Sequence, residues 1–336
     1  MTETNRTRSH VGCWFTMLLL TVALVGSLAM NAGLLVGRAL TGWKPVEEQA
    51  EDESPSFEET WSWGEGEVKA VRIPLQGALF RYVSDGGFFT ARIDPIESIL
   101  RQIRAAQNDE AVTAIILEVS SPGGDMTSSD EIYQAVRDFK QSVPGRRVVA
   151  HIQDLAASGA YYAILPADWI VAEPTAMMGS IGVIMQTLNW KTLSEKLGVT
   201  DTTIKSGLHK DLLNPFQEVS AEQRAFLQEL VDEAYTRFFD AVVADRSIEA
   251  ERLREVADGR VFGVEVARQY NLIDQVGYWS DVVAHLPAMC AEESVKIVRY
   301  EHKLSFSDWL ASMRAPLHLP RWMKSDAPRV MYLWRP

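Results

Sequence analysis

Ser158 stands in a segment of small residues, 156–162 (AASGAYY), and has the setting that a nucleophilic serine needs. Alanine and glycine beside it leave room for a substrate and bring a backbone amide close to the hydroxyl. The segment follows a strand-like run and begins a helical pattern, so Ser158 would lie where a strand gives way to a helix. The alternative is that Ser158 only caps this helix, because serine is a preferred residue at helix N-termini.

A second segment, 121–124 (SPGG), also lies between an apolar run and a helical pattern. Two glycines let the backbone turn sharply and approach a ligand closely. Amides near a helix N-terminus favour a negative charge. These amides could therefore stabilise the oxyanion that forms when a nucleophile attacks a carbonyl group, although an ordinary strand-to-helix turn would look the same.

A serine hydroxyl is a weak nucleophile until a neighbouring group removes its proton. Two of the six histidines, His151 and His209, are candidates for this base. A lysine can replace histidine if burial leaves it neutral, because desolvation disfavours the ammonium form. The segment 204–211 (IKSGLHKD) supplies two such lysines, Lys205 and Lys210.

The sequence around these segments alternates between strand-like and helical patterns. Residues 112–119 and 148–152 are nearly continuous apolar runs, which are typical of strands buried on both faces. Helical patterns follow at 128–140 and 156–165. This alternation predicts an α/β fold that begins near residue 67.

The composition argues against two classes of partner. The formal net charge is −12, whereas a protein that binds nucleic acid needs a basic face. The two cysteines, Cys13 and Cys290, lie far apart and have no spacing typical of metal ligands. The sequence therefore predicts neither a nucleic-acid partner nor a metal site.

The N-terminal region predicts a membrane anchor. No charged residue occurs between Arg8 and Arg38, and residues 13–36 are almost wholly apolar. A helix crosses the hydrocarbon core in about 20 residues, so this stretch is long enough to span a bilayer. A cleaved signal peptide is the alternative, since residues 27–29 (SLA) form a passable cleavage site. A slight bias of basic residues favours a cytoplasmic N-terminus and an extracytoplasmic domain.

Four segments, in this order and spacing, resemble the signal peptide peptidase A family in its short bacterial form. They are SSPGGD (120–125), AASGAYY (156–162), GSIGV (179–183) and IKSGLHKD (204–211). Two later segments, 258–277 and 328–333, also match, so the resemblance covers roughly residues 68–336. It implies the Clp protease/crotonase-like fold of repeated ββα units, here preceded by one transmembrane helix, and a serine protease that works with a serine–lysine pair.

The resemblance also implies a role for individual residues, with no metal or cofactor involved. The implied roles are nucleophile for Ser158, base for Lys210, orientation of the lysine for Ser180, and backbone oxyanion hole for Gly124 and Gly159. The spacing from the serine favours Lys210 over Lys205, which remains the alternative base.

Members of this family are implied to degrade cleaved signal peptides at the cytoplasmic membrane. In the short form, the serine and the lysine of one site come from neighbouring chains of an octameric ring. The C-terminal segment could then lie in a neighbour's groove like a product peptide, or it could pack on its own domain. A protease for one specific membrane-protein partner and an inactive membrane scaffold are the alternative functions.

The predicted organisation has five parts. They are a cytoplasmic N-terminus (1–10), a transmembrane anchor (11–37), an acidic linker (38–66), a serine protease domain (67–300) and a C-terminal segment (301–336). A soluble acyl-CoA enzyme of the crotonase type would share the fold, but it would need neither the anchor nor the serine–lysine pair.

Overall fold

The computed structural model describes residues 14, 17–28, 53–81, 94–301 and 331–333. The chain divides into two units, residues 1–50 and 51–336. In the first unit, residues 17–28 form helix α1, while the rest of the predicted anchor (11–37), apart from Trp14, lies outside the described residues. No helix within the described residues is long and apolar enough to cross a membrane.

The second unit is built on a sheet of nine strands in the order β1-β10-β2-β3-β5-β6-β9, with β7 between β5 and β8. The strands of the described residues are β1 (Glu58–Trp63), β2 (Lys69–Gln76), β3 (Val112–Ser121), β4 (Gly123–Asp125), β5 (Arg147–Ala157), β6 (Trp169–Ala172), β7 (Met177–Gly179), β8 (Val261–Gly263), β9 (Gln275–Val276), β10 (Lys296–Glu301) and β11 (Met331–Leu333). Of these, β4 and β11 form a separate two-stranded sheet. The central strands run parallel, so the predicted α/β fold is confirmed.

Helices cover both faces of this sheet. They are α2 (Pro95–Asn108), α3 (Met126–Ser142), α4 (Gly159–Ile164), α5 (Lys191–Leu197), α6 (Ala221–Arg246), α7 (Ala250–Arg254), α8 (Val264–Gln269) and α9 (Trp279–Cys290). This arrangement fits the Clp protease/crotonase-like fold implied by the resemblance.

The core has two parts because successive side chains along each parallel strand point to opposite faces of the sheet. On one face, Ile115 and Leu117 of β3 join the apolar sides of α2, α3 and α4. On the other face, Ile116 packs with Val282 and Leu286 of α9. The continuous apolar runs in the sequence therefore correspond to strands that are buried on both sides.

Polar residues fix where the helices begin. The carboxylate of Asp125 accepts a hydrogen bond from the Ser128 amide at 2.7 Å and thereby caps α3. Ser220 and Gln223 form a reciprocal capping box at the start of α6. Because Asp125 directly follows the two glycines of segment 121–124, the cap of α3 also fixes where this segment ends.

The predicted linker (38–66) extended too far into the folded unit. Residues 58–63 (EETWSW) form β1, which pairs antiparallel with β10 at the edge of the sheet. The sequence pattern did not reveal this strand, because its exposed side chains are acidic or aromatic and bury little apolar surface. Trp61 and Trp63 remain 65% and 54% exposed.

A charged cluster lies on the face of the sheet that α9 covers in part. Arg72 forms an ion pair with Glu118, and both side chains are largely buried. Beside Glu118 on the next strand, His151 is 1% exposed, and neither of its ring nitrogens has a hydrogen-bond partner among the described residues. Burial lowers the pKa of His151, although Glu173 and Glu118 act in the opposite direction.

Because the pKa of His151 lies lower in the folded than in the unfolded chain, acid should destabilise the fold through this residue. The unfolded chain takes up the proton near pH 6.5, so stability is lost as the pH falls from there towards the folded value. The loss amounts to about 1.4 kcal/mol for each pH unit in that window. We expect His151→Leu to melt at a temperature that changes less between pH 8 and pH 5.5 than that of the wild type. Replacement of the exposed His209 by leucine is the control; an unchanged acid dependence in His151→Leu would contradict the assignment.

Candidate active site

The parallel strands β3, β5 and β7 end side by side, so the segments that contain the candidate catalytic residues lie close together. Ser121 at the end of β3 pairs with Ala156 near the end of β5. Ala157, the last residue of β5, pairs with Gly179 at the end of β7. The segments that contain Gly124, Ser158 and Ser180 therefore lie side by side at the carboxyl ends of these strands.

Ser158 occupies the sharp turn between β5 and α4. Its φ and ψ are 55° and −121°, a conformation that residues other than glycine rarely adopt. Its amide donates to the Gly179 carbonyl at 2.8 Å, and its own carbonyl accepts from the Tyr162 amide at 3.0 Å. The neighbouring elements thus hold the turn on both sides.

The Ser158 hydroxyl is buried and has no hydrogen-bond partner among the described residues. The residue is 1% exposed, and its Oγ forms no hydrogen bond with any residue that the structure describes. In particular, the side chain does not cap α4, which disfavours the interpretation of Ser158 as a simple helix cap. A buried hydroxyl without a partner is destabilising, and such groups concentrate at functional sites.

Helix α4 is anchored by the hydroxyls of two buried tyrosines. Tyr161 donates to the Leu272 carbonyl at 2.7 Å. Tyr162 donates to the Asp130 carboxylate, also at 2.7 Å, and Arg237 binds the same carboxylate. Burial raises the pKa of both tyrosines, so both remain neutral donors. The first residue of this anchored helix is Gly159, whose amide is one of the two predicted oxyanion donors.

The other predicted donor, Gly124, lies in the short strand β4. On one edge of β4, the Leu79 amide donates to the Gly123 carbonyl at 2.8 Å and the Asp125 amide donates to the Leu79 carbonyl at 3.0 Å. Since the amides of successive residues in a strand point to opposite edges, and the Asp125 amide faces Leu79, the Gly124 amide faces away from it. It thus faces the outer edge of β4.

That outer edge of β4 carries the C-terminal strand β11. Tyr332 pairs antiparallel with Gly124, and Leu333 pairs with Gly123. The edge that presents the Gly124 amide is therefore able to bind an extended peptide segment. Of the predicted C-terminal segment (301–336), residues 302–330 and 334–336 lie outside the described residues.

Ser180 follows β7 in a second left-handed turn, with φ 50°. Its amide donates to the Arg260 carbonyl at 2.7 Å, which ties the turn to the start of β8. Sequence reasoning assigned no role to Arg260 or to Leu79. The segment that contains Arg260 (258–277) matched the family, but a contact through a backbone carbonyl cannot be recognised from the residue type, because every residue has this group.

The two candidate lysines differ in their contacts. Lys205 donates to the Asp211 carboxylate at 2.6 Å and to the Leu208 carbonyl at 3.2 Å, so its amine is engaged within its own loop. Lys210 is exposed, and its amine makes no hydrogen bond or ion pair with any described residue. Within one chain, Lys210 is therefore bonded neither to Ser158 nor to Ser180.

The two candidate histidines do not contact the serine. His151 lies on β5, seven residues before Ser158, which corresponds to about 20 Å along an extended strand. His209 is exposed, and its ring lies beside Phe226, with 6.4 Å between the ring centroids.

Comparison with known proteins finds a peptidase family and several relatives named as proteases. The family model for Peptidase family S49 matches residues 140–291. An Enterococcus faecium protein provisionally named signal peptide peptidase SppA is 33% identical over 76% of this chain and 74% of its own length. A protein of Methanocaldococcus jannaschii, provisionally named as a protease, is 32% identical over 70% and 75% of the two chains. The chloroplastic serine protease SPPA of Arabidopsis thaliana is 33% identical over 56% of this chain and 28% of its own.

The position of Gly124 leads to a first test of the site. A Cβ atom at this position would lie 1.9 Å from the Leu79 carbonyl oxygen, so Gly124→Ala should force β4 away from Leu79 and displace the amide. Loss of one oxyanion donor typically lowers a rate by about 10²–10³-fold. We expect a similar loss in the rate at which a fluorophosphonate labels Ser158.

The matched control is Gly263→Ala, since a Cβ atom there would meet no atom within 4 Å. It should label at the wild-type rate. Circular dichroism spectra would establish that both variants are folded. Wild-type labelling of a folded Gly124→Ala variant would show that this amide takes no part in the chemistry.

Proposed function

Because the chain belongs to Peptidase family S49 and is a serine peptidase, we propose that Ser158 and Lys210 form its catalytic dyad and that it degrades cleaved signal peptides at a membrane. The observation that carries the dyad is the Ser158 hydroxyl, which is buried, lies in a strained turn and has no hydrogen-bond partner in the part of the chain that the structure describes. Such a hydroxyl is free to donate a hydrogen bond to a base that a second copy of the chain supplies.

The proposed reaction is a two-step acyl transfer. The free amine of Lys210 takes the proton from Ser158 Oγ, which attacks the carbonyl carbon of the scissile peptide bond. The amides of Gly124 and Gly159 donate to the resulting oxyanion. The Lys210 ammonium then gives its proton to the leaving amine as the C–N bond breaks. A water molecule, deprotonated by the same amine, releases the acyl group and restores Ser158.

Exposed apolar residues around Lys210 support a second copy of the chain as the source of the lysine. The loop 199–219 and helix α5, which precedes it, expose Leu197, Val199, Ile204 and Leu208 by 68%, 54%, 97% and 67%. Large apolar side chains that cluster on a surface mark an interaction site. In the proposed assembly, this surface packs on a neighbouring copy and brings Lys210 to the neighbour's Ser158. An octameric ring is the form that the family resemblance implies.

The pairing of β11 with β4 supports an extended peptide as the substrate. A peptide added to the outer edge of β4 would bind through main-chain hydrogen bonds, and the Gly124 amide would lie within its reach. Main-chain pairing tolerates many side chains, which suits apolar signal peptides that share little sequence. The proposed anchor at 11–37 would keep the site close to the membrane, on its extracytoplasmic side.

The identity of the base is tested with arginine substitutions. Arginine keeps a cation but does not act as a base, because it cannot lose its proton in a protein. Lys210→Arg should lower the cleavage of a synthetic signal peptide by about 10³-fold or more, as should Ser158→Ala. Lys205→Arg should retain activity, since arginine can still bind Asp211. Products would be followed by mass spectrometry; an active Lys210→Arg variant would exclude this residue as the base.

The same variants test whether two chains share each site. Ser158→Ala and Lys210→Arg chains, co-expressed and purified together, should regain about a quarter of the wild-type activity, because random assembly pairs an intact serine with an intact lysine at that frequency. Size-exclusion chromatography would establish that the assembly has formed. A mixed assembly with no activity would show that both residues of a site come from one chain.

The C-terminal strand β11 pairs with the edge of β4 that is proposed to bind substrate, so it should compete with substrate for that edge. Proline at position 332 lacks the amide that pairs with Gly124, so Tyr332→Pro should release β11. We expect kcat/KM for a signal peptide to rise several-fold, mainly through a lower KM. Tyr332→Ala keeps the backbone donor and is the control. Equal kinetics for Tyr332→Pro and the wild type would mean that β11 does not obstruct substrate.

A further inference from the structure

A turn formed by residues 258–260 holds the backbone around Ser180. The Ser180 amide donates to the Arg260 carbonyl at 2.7 Å, and the Gly259 amide donates to the Ile181 carbonyl at 3.1 Å. These two bonds fix the peptide unit that precedes Ser180 and the one that follows Ile181, so they hold the chain on both sides of the residue pair 180–181. A left-handed residue other than glycine persists only when its surroundings hold it in place, and this turn supplies that restraint.

Asp258 determines the shape of the turn. Its Oδ1 accepts a hydrogen bond from the Arg260 amide at 3.1 Å, an Asx turn that spans Gly259. Gly259 itself has φ 88°. The Arg260 guanidinium binds the same carboxylate, with Nε 2.7 Å from Oδ1, but the side chains of both residues are about half exposed. The bond to the backbone amide is therefore the contact that directs the Arg260 carbonyl towards Ser180.

The restraint extends from Ser180 to the nucleophile. Gly179 precedes Ser180, and its carbonyl accepts the Ser158 amide at 2.8 Å. A Cβ atom on Gly179 would lie 2.9 Å from the Arg260 carbonyl oxygen, so this carbonyl packs directly against the strand end that carries both turns. A shift of the Arg260 carbonyl would therefore move Ser180 and the backbone acceptor of Ser158 together.

We propose that Asp258 is a positioning residue for catalysis, which acts through the Arg260 carbonyl on Ser180 and, through Gly179, on Ser158. The inference rests on the proposed function and on the role that the family resemblance implies for the Ser180 hydroxyl, which is to orient the lysine base. Asp258 does not touch the reacting atoms. Its hydrogen bonds with Arg260 lower the pKa of Asp258 to about 2, so its own titration does not enter a rate profile near neutral pH.

Three variants of the full-length assembled protein test the proposal. Asp258→Ala removes the acceptor and should lower kcat about tenfold with KM unchanged, because the binding edge of β4 is intact. The rise of its rate with pH should also move to higher pH, since a displaced Ser180 no longer holds the free amine in place. Asp258→Asn keeps an oxygen that accepts from the Arg260 amide and should restore both kcat and the profile. Glu251→Ala, which breaks an exposed ion pair with Arg254, should match the wild type.

Each other outcome has a distinct meaning. Wild-type kcat in Asp258→Ala, or an Asp258→Asn variant as slow as Asp258→Ala, would overturn the proposal. So would a loss that is equal at every pH and accompanied by a lower melting temperature, since it would indicate a purely structural role. Fluorophosphonate labelling separates this inference from the proposed function. If the fluorophosphonate labelled Ser158→Ala, the proposed function would be overturned. If it did not label Ser158→Ala but labelled Asp258→Ala at the wild-type rate, only the role of Asp258 would be overturned.

Discussion

The hydrogen bond from the Ser158 amide to the Gly179 carbonyl joins two turns that neither serine would adopt alone. Both Ser158 and Ser180 have left-handed backbone conformations, which are unfavourable for residues with a side chain. They persist because β3, β5 and β7 end in register and because the buried helix α4 and the 258–260 turn close the arrangement from both sides. The sheet therefore stabilises the strained backbone that holds Ser158 at the end of β5.

The fold is complete within one chain, but the proposed catalytic site is not. Apart from the largely buried cluster of Arg72, Glu118 and His151, the interior of the sheet is apolar, and helices pack on both of its faces. The strand ends are held by backbone hydrogen bonds. The Ser158 hydroxyl nevertheless has no hydrogen-bond partner within the described ranges, and Lys210 lies on a loop that also exposes apolar side chains. These two unsatisfied features are complementary. A second copy that covers the apolar loop would also supply the missing base, so assembly and activation would be one event.

The sequence predicted the parts of the structure that depend on local pattern. The apolar runs identified β3 and β5, and the small residues around Ser158 identified the turn at the end of β5. Strand β1 was missed because an edge strand buries few of its side chains. The contacts of Leu79 and Arg260 could not be predicted, since both act through backbone atoms that every residue type carries. The choice of Lys210 over Lys205 came from family spacing and stays a prediction, whereas the structure shows that Lys205 pairs with Asp211.

The short length of β4 has a consequence for selectivity. Its three residues offer a peptide only a few main-chain bonds, and two of those residues are glycines that contribute no side-chain contacts. A binding edge of this kind distinguishes chains by whether their backbone is free rather than by which residues they carry. A folded protein has already used its amides and carbonyls internally, whereas a released, extended peptide has not. The enzyme would then spare the folded proteins around it because their backbone groups are occupied, with no need to recognise any feature of their sequence.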